Sequence, residues 1–379
     1  MIRFIQTGDV HLDTRFSGIR DQSKRRQRRE EHRWSFRKIM EITGQTQPDF
    51  LLITGDLFEH ERFSPDTINF IIQQLERIHP LKVFIIAGNH DHLVSGSPYL
   101  TYEWPDNVHI FTNRGFERVE MADKGVVIHA VSVTPQNRPD YLLKGYVVPK
   151  DERIHIVMFH GSETTDRRSM ELWGDCLPFT REDVLSCGAD YYALGHYHSL
   201  RPVPFQEADV KGFYAGCPEP TKFTETGERY IIQVELEKGR PVQKNEIRDQ
   251  QGRRYREEII RCDGFKTRDQ ILEKIRALSD REAIVKIVLD GYTDPDLELD
   301  LQLIREKTED WFFASEIEDR TQPDYRLDRI DNLLAIRFHE EVEAAQKLCQ
   351  DPGEIRLLEE AEILGLDALL RREVRRYEA

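Results

Sequence analysis

Residues 1–235 repeat one pattern: a short apolar run that stops at a glycine or a polar side chain, followed by a charged segment with helical spacing. The runs are IRFIQ, FLLIT, VFIIA, VVIHAVSV, IHIVMF and YYAL. They are nearly continuous rather than alternating, which is how central strands buried on both faces read. Between two of them Ile68, Ile71, Ile72, Leu75 and Ile78 recur at the spacing of one helical face. Strands that alternate with helices dictate an α/β fold. GFYAGC and RYIIQVEL extend the series as further strands, so the expectation is a layered α/β domain with mixed strands.

The pattern breaks at RDQQGRRYREE, residues 248–258. Residues 259–320 then read as strand (EEIIRC), helix (RDQILEKIRAL), strand (AIVKIVLDG) and helix, a small α+β unit. From Asp324 onward the chain reads as wholly helical. Leu327, Ile330, Leu334, Phe338, Val342, Ala345 and Leu348 form one stripe, DPG at 351–353 interrupts it, and a second amphipathic stretch follows. With 379 residues the chain suits two or three domains, expected at 1–250, 251–323 and 324–379.

The formal charge of −15 excludes broad, non-specific coating of nucleic acid, which rests on cationic surface. It leaves room for a local basic track, or for a site where metal ions supply the positive charge. No run of 18 apolar residues is present, and the opening MIRFIQTGDVH reads as a strand entering a polar loop rather than as a secretion signal. Five cysteines without CxxC spacing point to a reducing compartment and away from a structural zinc site. A cytoplasmic location is expected.

ALGHYHS, residues 193–199, places two histidines behind a glycine at the end of an apolar run. Taken alone, the pair fits core histidines as well as metal ligands. What distinguishes the two is whether other strand ends carry matching donors, and they do. TGDVH supplies Asp9 and His11, TGDLF supplies Asp56, AGNHD supplies Asn89, His90 and Asp91, and MFHGS supplies His160. His196 and His198 complete the set. The carboxyl ends of strands in an open α/β sheet converge on one crevice, so five runs deliver oxygen and imidazole donors to one place. Two divalent cations about 3.5–4 Å apart stabilise both oxygens of a phosphoryl displacement. Such a pair needs a bridging carboxylate, and Asp56 lies between the two donor groups. Mixed Asp, Asn and His donors suit Mn²⁺, Fe²⁺ or Zn²⁺ better than Ca²⁺.

The ordered set DVH, GD, GNHD, HG and GHYH resembles the calcineurin-like metallophosphoesterase superfamily. YAGCPEPTKFTETGERYIIQVEL, residues 214–236, is similar to the tyrosine–glycine–serine–proline–glutamate stretch of SbcD-type DNA repair exonucleases, the bacterial counterparts of the eukaryotic and archaeal break-repair nuclease subunit. The α+β unit resembles that family's capping domain, and EEAEILGLDALL resembles the ending of its YhaO-like branch. The resemblance implies a sandwich of two β-sheets flanked by helices. It implies one metal held by Asp9, His11, Asp56 and His198, and another by Asp56, Asn89, His160 and His196. His90 would contact the scissile phosphate, with Asp91 orienting it. Mn²⁺ is the expected ion, with Mg²⁺, Fe²⁺ or Zn²⁺ as alternatives. The family also implies action on DNA, a homodimer, and an SMC-like coiled-coil ATPase gripped by the C-terminal helices. Archaeal members carry a histidine where this chain has Glu59, which touches how DNA is positioned and the balance of exonuclease and endonuclease activity. The alternative within the same chemistry is a phosphoesterase for a small phosphodiester or a phosphoprotein. A scaffold that has lost catalysis would be expected to lack ligands, and none is missing.

Residues 20–38 hold nine Lys/Arg against three acids, a local +6. Such a run is either a solvated helix face or a basic arm on DNA backbone, with Arg25, Arg26, Arg28 and Arg29 as the contacts. Ser162 and Cys217 lie near motif loops without a base at readable spacing and are assigned no nucleophilic role.

Overall fold

The structure, a computed structural model, describes residues 1–164, 176–204, 210–248, 252–297, 299–325, 332–349 and 351–370. The chain divides into two compact units, one ending at Tyr255 and the other beginning at Arg256.

The first unit contains two six-stranded sheets. One has the order β12-β11-β1-β2-β3-β4 and is built from β1 (Ile2–Thr7), β2 (Phe50–Thr54), β3 (Lys82–Ile86), β4 (Val108–Ile110), β11 (Tyr230–Leu236) and β12 (Gln243–Arg248). The other has the order β5-β6-β7-β8-β10-β9. It is built from β5 (Glu117–Met121), β6 (Val126–Val131), β7 (Ile154–His160), β8 (Tyr191–Gly195), β9 (Arg201–Val203) and β10 (Gly212–Tyr214). Strands β1 to β4 are parallel, as are β6 to β8 and β10, while β11, β12, β5 and β9 pair antiparallel. The six apolar runs are all strands. Apart from the exposed Arg3 they are buried throughout, and that burial has a direct cause. Phe4, Phe50, Leu52, Phe84, Ile128, Ile156 and Met158 fill the layer between the sheets. Ile5, Leu51, Ile53, Val83 and Ile85 face a second core, under the helices.

That second core is closed by α1 (Gln22–Thr46) and α2 (Pro65–Glu76). Asp21 caps α1 by accepting from the backbone of Ser23 and Lys24, and Ser64 caps α2 with Pro65 in its first turn. Helix α2 buries Ile68, Ile71 and Leu75, the face read from its spacing. A four-residue helix, α3 (Pro98–Thr101), follows β3. Helix α4 (Arg181–Cys187), with a capping box of Thr180 and Asp183, covers the far side of the second sheet.

The second unit has a three-stranded sheet of β13 (Tyr255–Arg261), β14 (Asp280–Thr293) and β15 (Phe312–Pro323) in that order. Helices α5 (Arg268–Ala277) and α6 (Leu301–Thr308) cover its apolar face, which carries Ile260, Val285, Ile287, Leu289 and Ile317. Strand β15 pairs parallel with β14 over most of its length. It was not among the sequence expectations, because FFASEIEDRTQP lacks an uninterrupted apolar run. Two helices follow, α7 (Leu333–Leu348) and α8 (Pro352–Leu370). Leu327 and Ile330 of the expected stripe lie outside the described residues. Of the remainder, Val342 is buried, whereas Leu334, Ala345 and Leu348 are exposed. A Cβ at Gly365 would collide with the Phe338 ring, so glycine is what lets α8 approach α7 so closely.

Candidate metal centre

Sequence reasoning placed the site at the carboxyl ends of one open sheet. The structure places it where the carboxyl ends of two sheets meet. Asp9, Asp56 and Asn89 follow β1, β2 and β3 of one sheet, and His160, His196 and His198 end or follow β7 and β8 of the other. The sheets are fastened there by polar groups. Gln6 donates to the carbonyls of Leu194 and Phe213 and accepts from the Tyr191 hydroxyl at 2.6 Å. A Cβ at Gly195 would collide with the Thr54 carbonyl oxygen, so the approach of β8 to β2 requires glycine.

Four of the donor residues sit on strained backbone. Asp9, His11, Asp56 and His196 have φ of 50°, 49°, 52° and 110°, outside the region that residues other than glycine ordinarily take, with aspartate tolerating it better than most. The strain persists because the surroundings over-determine it. The amides of Asp9, His11 and Leu12 donate to the carbonyls of Gly55, Asp56 and Leu57, and the His196 amide donates to Asp9 Oδ1.

All seven predicted ligands come together. Nε2 of His11 lies 3.1 Å from Nε2 of His198, and Asp9 offers a carboxylate oxygen within 4.8 Å of both rings. On the other side, Asn89 Oδ1 lies 3.0 Å from His160 Nε2 and 3.1 Å from His196 Nδ1. Asp56 spans the two groups with one atom, its Oδ2 standing 3.6 Å from His11 Nε2 and 3.3 Å from His160 Nε2. Its Oδ1 accepts from the His90 amide at 2.8 Å.

The outer nitrogens of three rings are tied. His160 Nδ1 donates to the Thr54 carbonyl at 2.9 Å, His198 Nδ1 faces Glu225 Oε1 at 2.8 Å, and His11 Nδ1 faces Glu59 Oε1 at 2.8 Å. In the neutral ring this leaves the Nε2 lone pair directed inward. The inward nitrogens of His11 and His198 then oppose each other across 3.1 Å, which only a proton or a cation between them relieves. Carboxylate and carbonyl partners on the outer nitrogens are the arrangement that metal-ligating histidines take. The donor set therefore fits a pair of divalent cations.

The electrostatics point the same way. Burial alone would raise the Asp56 carboxyl, but His160 holds it well below the usual carboxylate range. Burial would lower His160, and Asp56 pushes it instead up to about 9. His198 is likewise pushed up to about 11 against burial, by Cys217 and Glu225. His196, buried and beside His160, falls to about 3. Asp56 thus draws positive charge onto His160, and Cys217 with Glu225 onto His198.

The reading of Asp91 is corrected. Its carboxylate accepts from the amides of Gly88, Asp56 and Leu57 and from the Tyr99 hydroxyl. It braces the two loops and does not orient His90. That part falls to Glu59, whose Oε2 lies 3.0 Å from His90 Nδ1. The His90 side chain is 46% exposed, facing the open side of the site. Sequence reasoning noted Glu59 only as a departure from a related pattern, and it missed Glu225 and Thr54 altogether. Arg28 is also corrected: it is fully buried and paired with Glu219 at 2.8 Å, so it is not a DNA contact.

Residues 2–200, just over half of the chain, match the calcineurin-like phosphoesterase family. The chain belongs to that family. It has the family's fold, two mixed sheets flanked by helices. It is 30% identical over 242 residues to the uncharacterized metallophosphoesterase YhaO of Bacillus subtilis, covering 62% of this chain and 57% of that protein. It is 25% identical over 320 residues to the DNA double-strand break repair protein Mre11 of Methanopyrus kandleri, covering 76% and 64%. The chain thus spans less than two thirds of the length of these relatives. Among solved structures it is similar to TT1561 of Thermus thermophilus, at a TM-score of 0.37 and 11% identity, covering 65% of this chain and 99% of that one. No helix among the described residues is long and apolar enough to cross a membrane.

Proposed function

We propose that this phosphoesterase is a dinuclear-metal nuclease that hydrolyses phosphodiester bonds in DNA and acts in DNA repair. The observation that carries the reading is the reach of its similarity to the archaeal double-strand break repair protein. That similarity covers 76% of this chain, about 288 of its 379 residues, more than the 255 of the first unit, and so includes part of the second. A phosphoesterase for small esters has no need of a relationship beyond the catalytic unit.

In this reading Asp9, His11 and His198 hold one cation, Asn89, His160 and His196 hold the other, and Asp56 joins both. We assign Mn²⁺ as the favoured ion, since it accepts the carboxylate and amide oxygens of this set, while the four imidazoles count against Ca²⁺. The cations, when bound, would activate water and offset the negative charge on the phosphoryl oxygens. The chain's own part is orientation. Glu59 holds His90 by Nδ1, which leaves Nε2 to meet a phosphate oxygen and hand a proton to the departing one. Asp91, with four donors on its carboxylate, keeps the loops that carry Asp56 and His90 at a fixed distance.

Two partners extend the proposal: a second copy of this chain through the first unit, and an SMC-like coiled-coil ATPase through α7 and α8. Supporting the second, Leu333 and Leu348 at the two ends of α7 are 81% and 85% exposed, with Leu357 of α8 also in the open. Apolar anchors at helical spacing seat well in the groove of another helix. A cytoplasmic site of action is part of the same reading. The test is incubation with labelled single- and double-stranded DNA and with bis-p-nitrophenyl phosphate, in Mn²⁺ or in chelator. Mn²⁺-dependent cleavage of DNA supports the reading, and hydrolysis of the small ester alone replaces it with a small-ester or phosphoprotein phosphoesterase.

A further inference from the structure

Arg28 lies in the most basic stretch of the sequence, yet it is fully buried. Its Nη2 donates to Glu219 Oε2 at 2.8 Å and to the Pro220 carbonyl at 3.2 Å, and Nη1 pairs with Glu31. The guanidinium also lies over the rings of Phe16 at 5.4 Å and Tyr255 at 5.6 Å. What the group is connected to gives it meaning.

One connection runs through His32, one turn further along α1. Its Nε2 lies 3.2 Å from Arg28 Nη2. A guanidinium nitrogen only donates and the Val10 carbonyl only accepts, so Nε2 shares in the two Nη2 hydrogens as an acceptor and the ring proton is on Nδ1. Nδ1 then donates to the Val10 carbonyl at 3.2 Å. In that tautomer Nε2 gives nothing to the Pro220 oxygen 3.3 Å away, which Arg28 and the Tyr255 hydroxyl supply instead. Val10 is the residue between Asp9 and His11, both on left-handed backbone. A second connection runs through Pro220. The next amide, of Thr221, donates to Glu225 Oε2 at 2.7 Å, and Glu225 Oε1 holds His198 Nδ1.

We propose that Arg28 is a positioning residue for the half of the metal centre formed by Asp9, His11 and His198. It fixes the His32 tautomer that clamps the Asp9–His11 turn, and it fixes the loop from which Glu225 orients His198. Of the group consisting of Asn89, His160 and His196, Asn89 and His160 are on neither path, and His196 is joined to the first only through its backbone amide on the Asp9 carboxylate. The segment by which the chain leaves the first unit closes on the same point. Arg253 forks onto both oxygens of Glu31 at 2.9 Å, and the Tyr255 hydroxyl donates to the Pro220 carbonyl at 3.1 Å. The exit of the chain and one half of the metal centre therefore share one buried cation. The inference rests on the two-group metal reading above.

The test uses the full chain with Arg28→Lys, which keeps the charge but not the fork, and Tyr255→Phe, which removes one donor to Pro220. Calorimetric titration with Mn²⁺ resolves the binding steps, and His198→Ala marks the step that belongs to its group. Nitrogen-15 spectra of the histidine rings report the His32 tautomer. Arg28→Lys should weaken the step marked by His198→Ala by tenfold or more, leave the other within twofold, and move the His32 proton off Nδ1. Tyr255→Phe should weaken the same step by less. An unchanged His32 tautomer with both steps intact overturns the proposal. If Arg28→Lys does not fold, an unchanged titration of Tyr255→Phe overturns it as well. A wild-type protein that binds fewer than two ions overturns the two-group reading instead, and the His32 spectrum then still decides whether Arg28 sets the turn.

Discussion

The carboxylate of Glu59 meets the Nδ1 of His90 at 3.0 Å, and with its other oxygen it meets the Nδ1 of His11 at 2.8 Å. One side chain therefore orients the imidazole proposed to face substrate and one proposed to face metal. Burial would raise this carboxyl, but the bonds to His11 and His90 bring it down to about 2. It is an acceptor throughout the range in which the enzyme would work.

His90→Asn should leave both cations bound and lower kcat by about 10²–10⁴, the usual yield of a positioned proton donor. Glu59→Gln should lower kcat and also weaken metal binding by about 10–100-fold, as loss of a partner behind a metal ligand does. Metal titration beside steady-state kinetics on a small phosphodiester separates the two variants. Loss of metal in His90→Asn would contradict the assignment.

Metal binding should release protons. His160 and His198 have their pKa values raised, to about 9 and about 11, so at neutral pH both hold a proton that a cation must displace. The sign follows: affinity for Mn²⁺ rises with pH below those values, by about tenfold per pH unit for each proton released. Calorimetry in buffers of different ionisation enthalpy counts the protons. A pH-independent affinity across the neutral range would count against the two rings as ligands.

The outward face of α1 carries Arg25, Arg26 and Arg29, none of them buried. Replacing these three with glutamine should reduce the slope of log K against log salt for duplex DNA by about 0.9 for each phosphate that the helix no longer neutralises. Hydrolysis of a small phosphodiester should be unaffected. Arg28 is left out of the set, because removing one partner of its buried pair with Glu219 costs about 3–5 kcal/mol in stability. An unchanged salt slope returns this face to ordinary solvated surface.

The parts of this architecture that showed in the sequence are those where one residue type has one physical use. Phe50–Thr54 and Ile154–His160 are buried on both faces, so their apolarity is unbroken and their ends are marked. β5 and β12 were missed for the opposite reason. ERVEM alternates and QKNEIR is almost wholly exposed at a sheet edge, so hydrogen bonding to a neighbour, not burial, makes them strands. The candidate ligands were legible because each ends or closely follows a run. Glu225 is 27 residues from the histidine it holds, and Thr54 acts through a carbonyl that no side chain advertises. Arg28 did leave a signal. It shares a helical face with His32, Phe36, Ile39 and Thr43, all buried, but the charge run around it is the louder pattern.

Anomalous scattering at the manganese edge, from a crystal grown with Mn²⁺, tests the central claim most directly. The account predicts two peaks about 3.5–4 Å apart, with Asp56 Oδ2 between them. One should be ringed by Asp9, His11 and His198, and the other by Asn89, His160 and His196. A single peak, or a pair that leaves Asp56 outside, would contradict it.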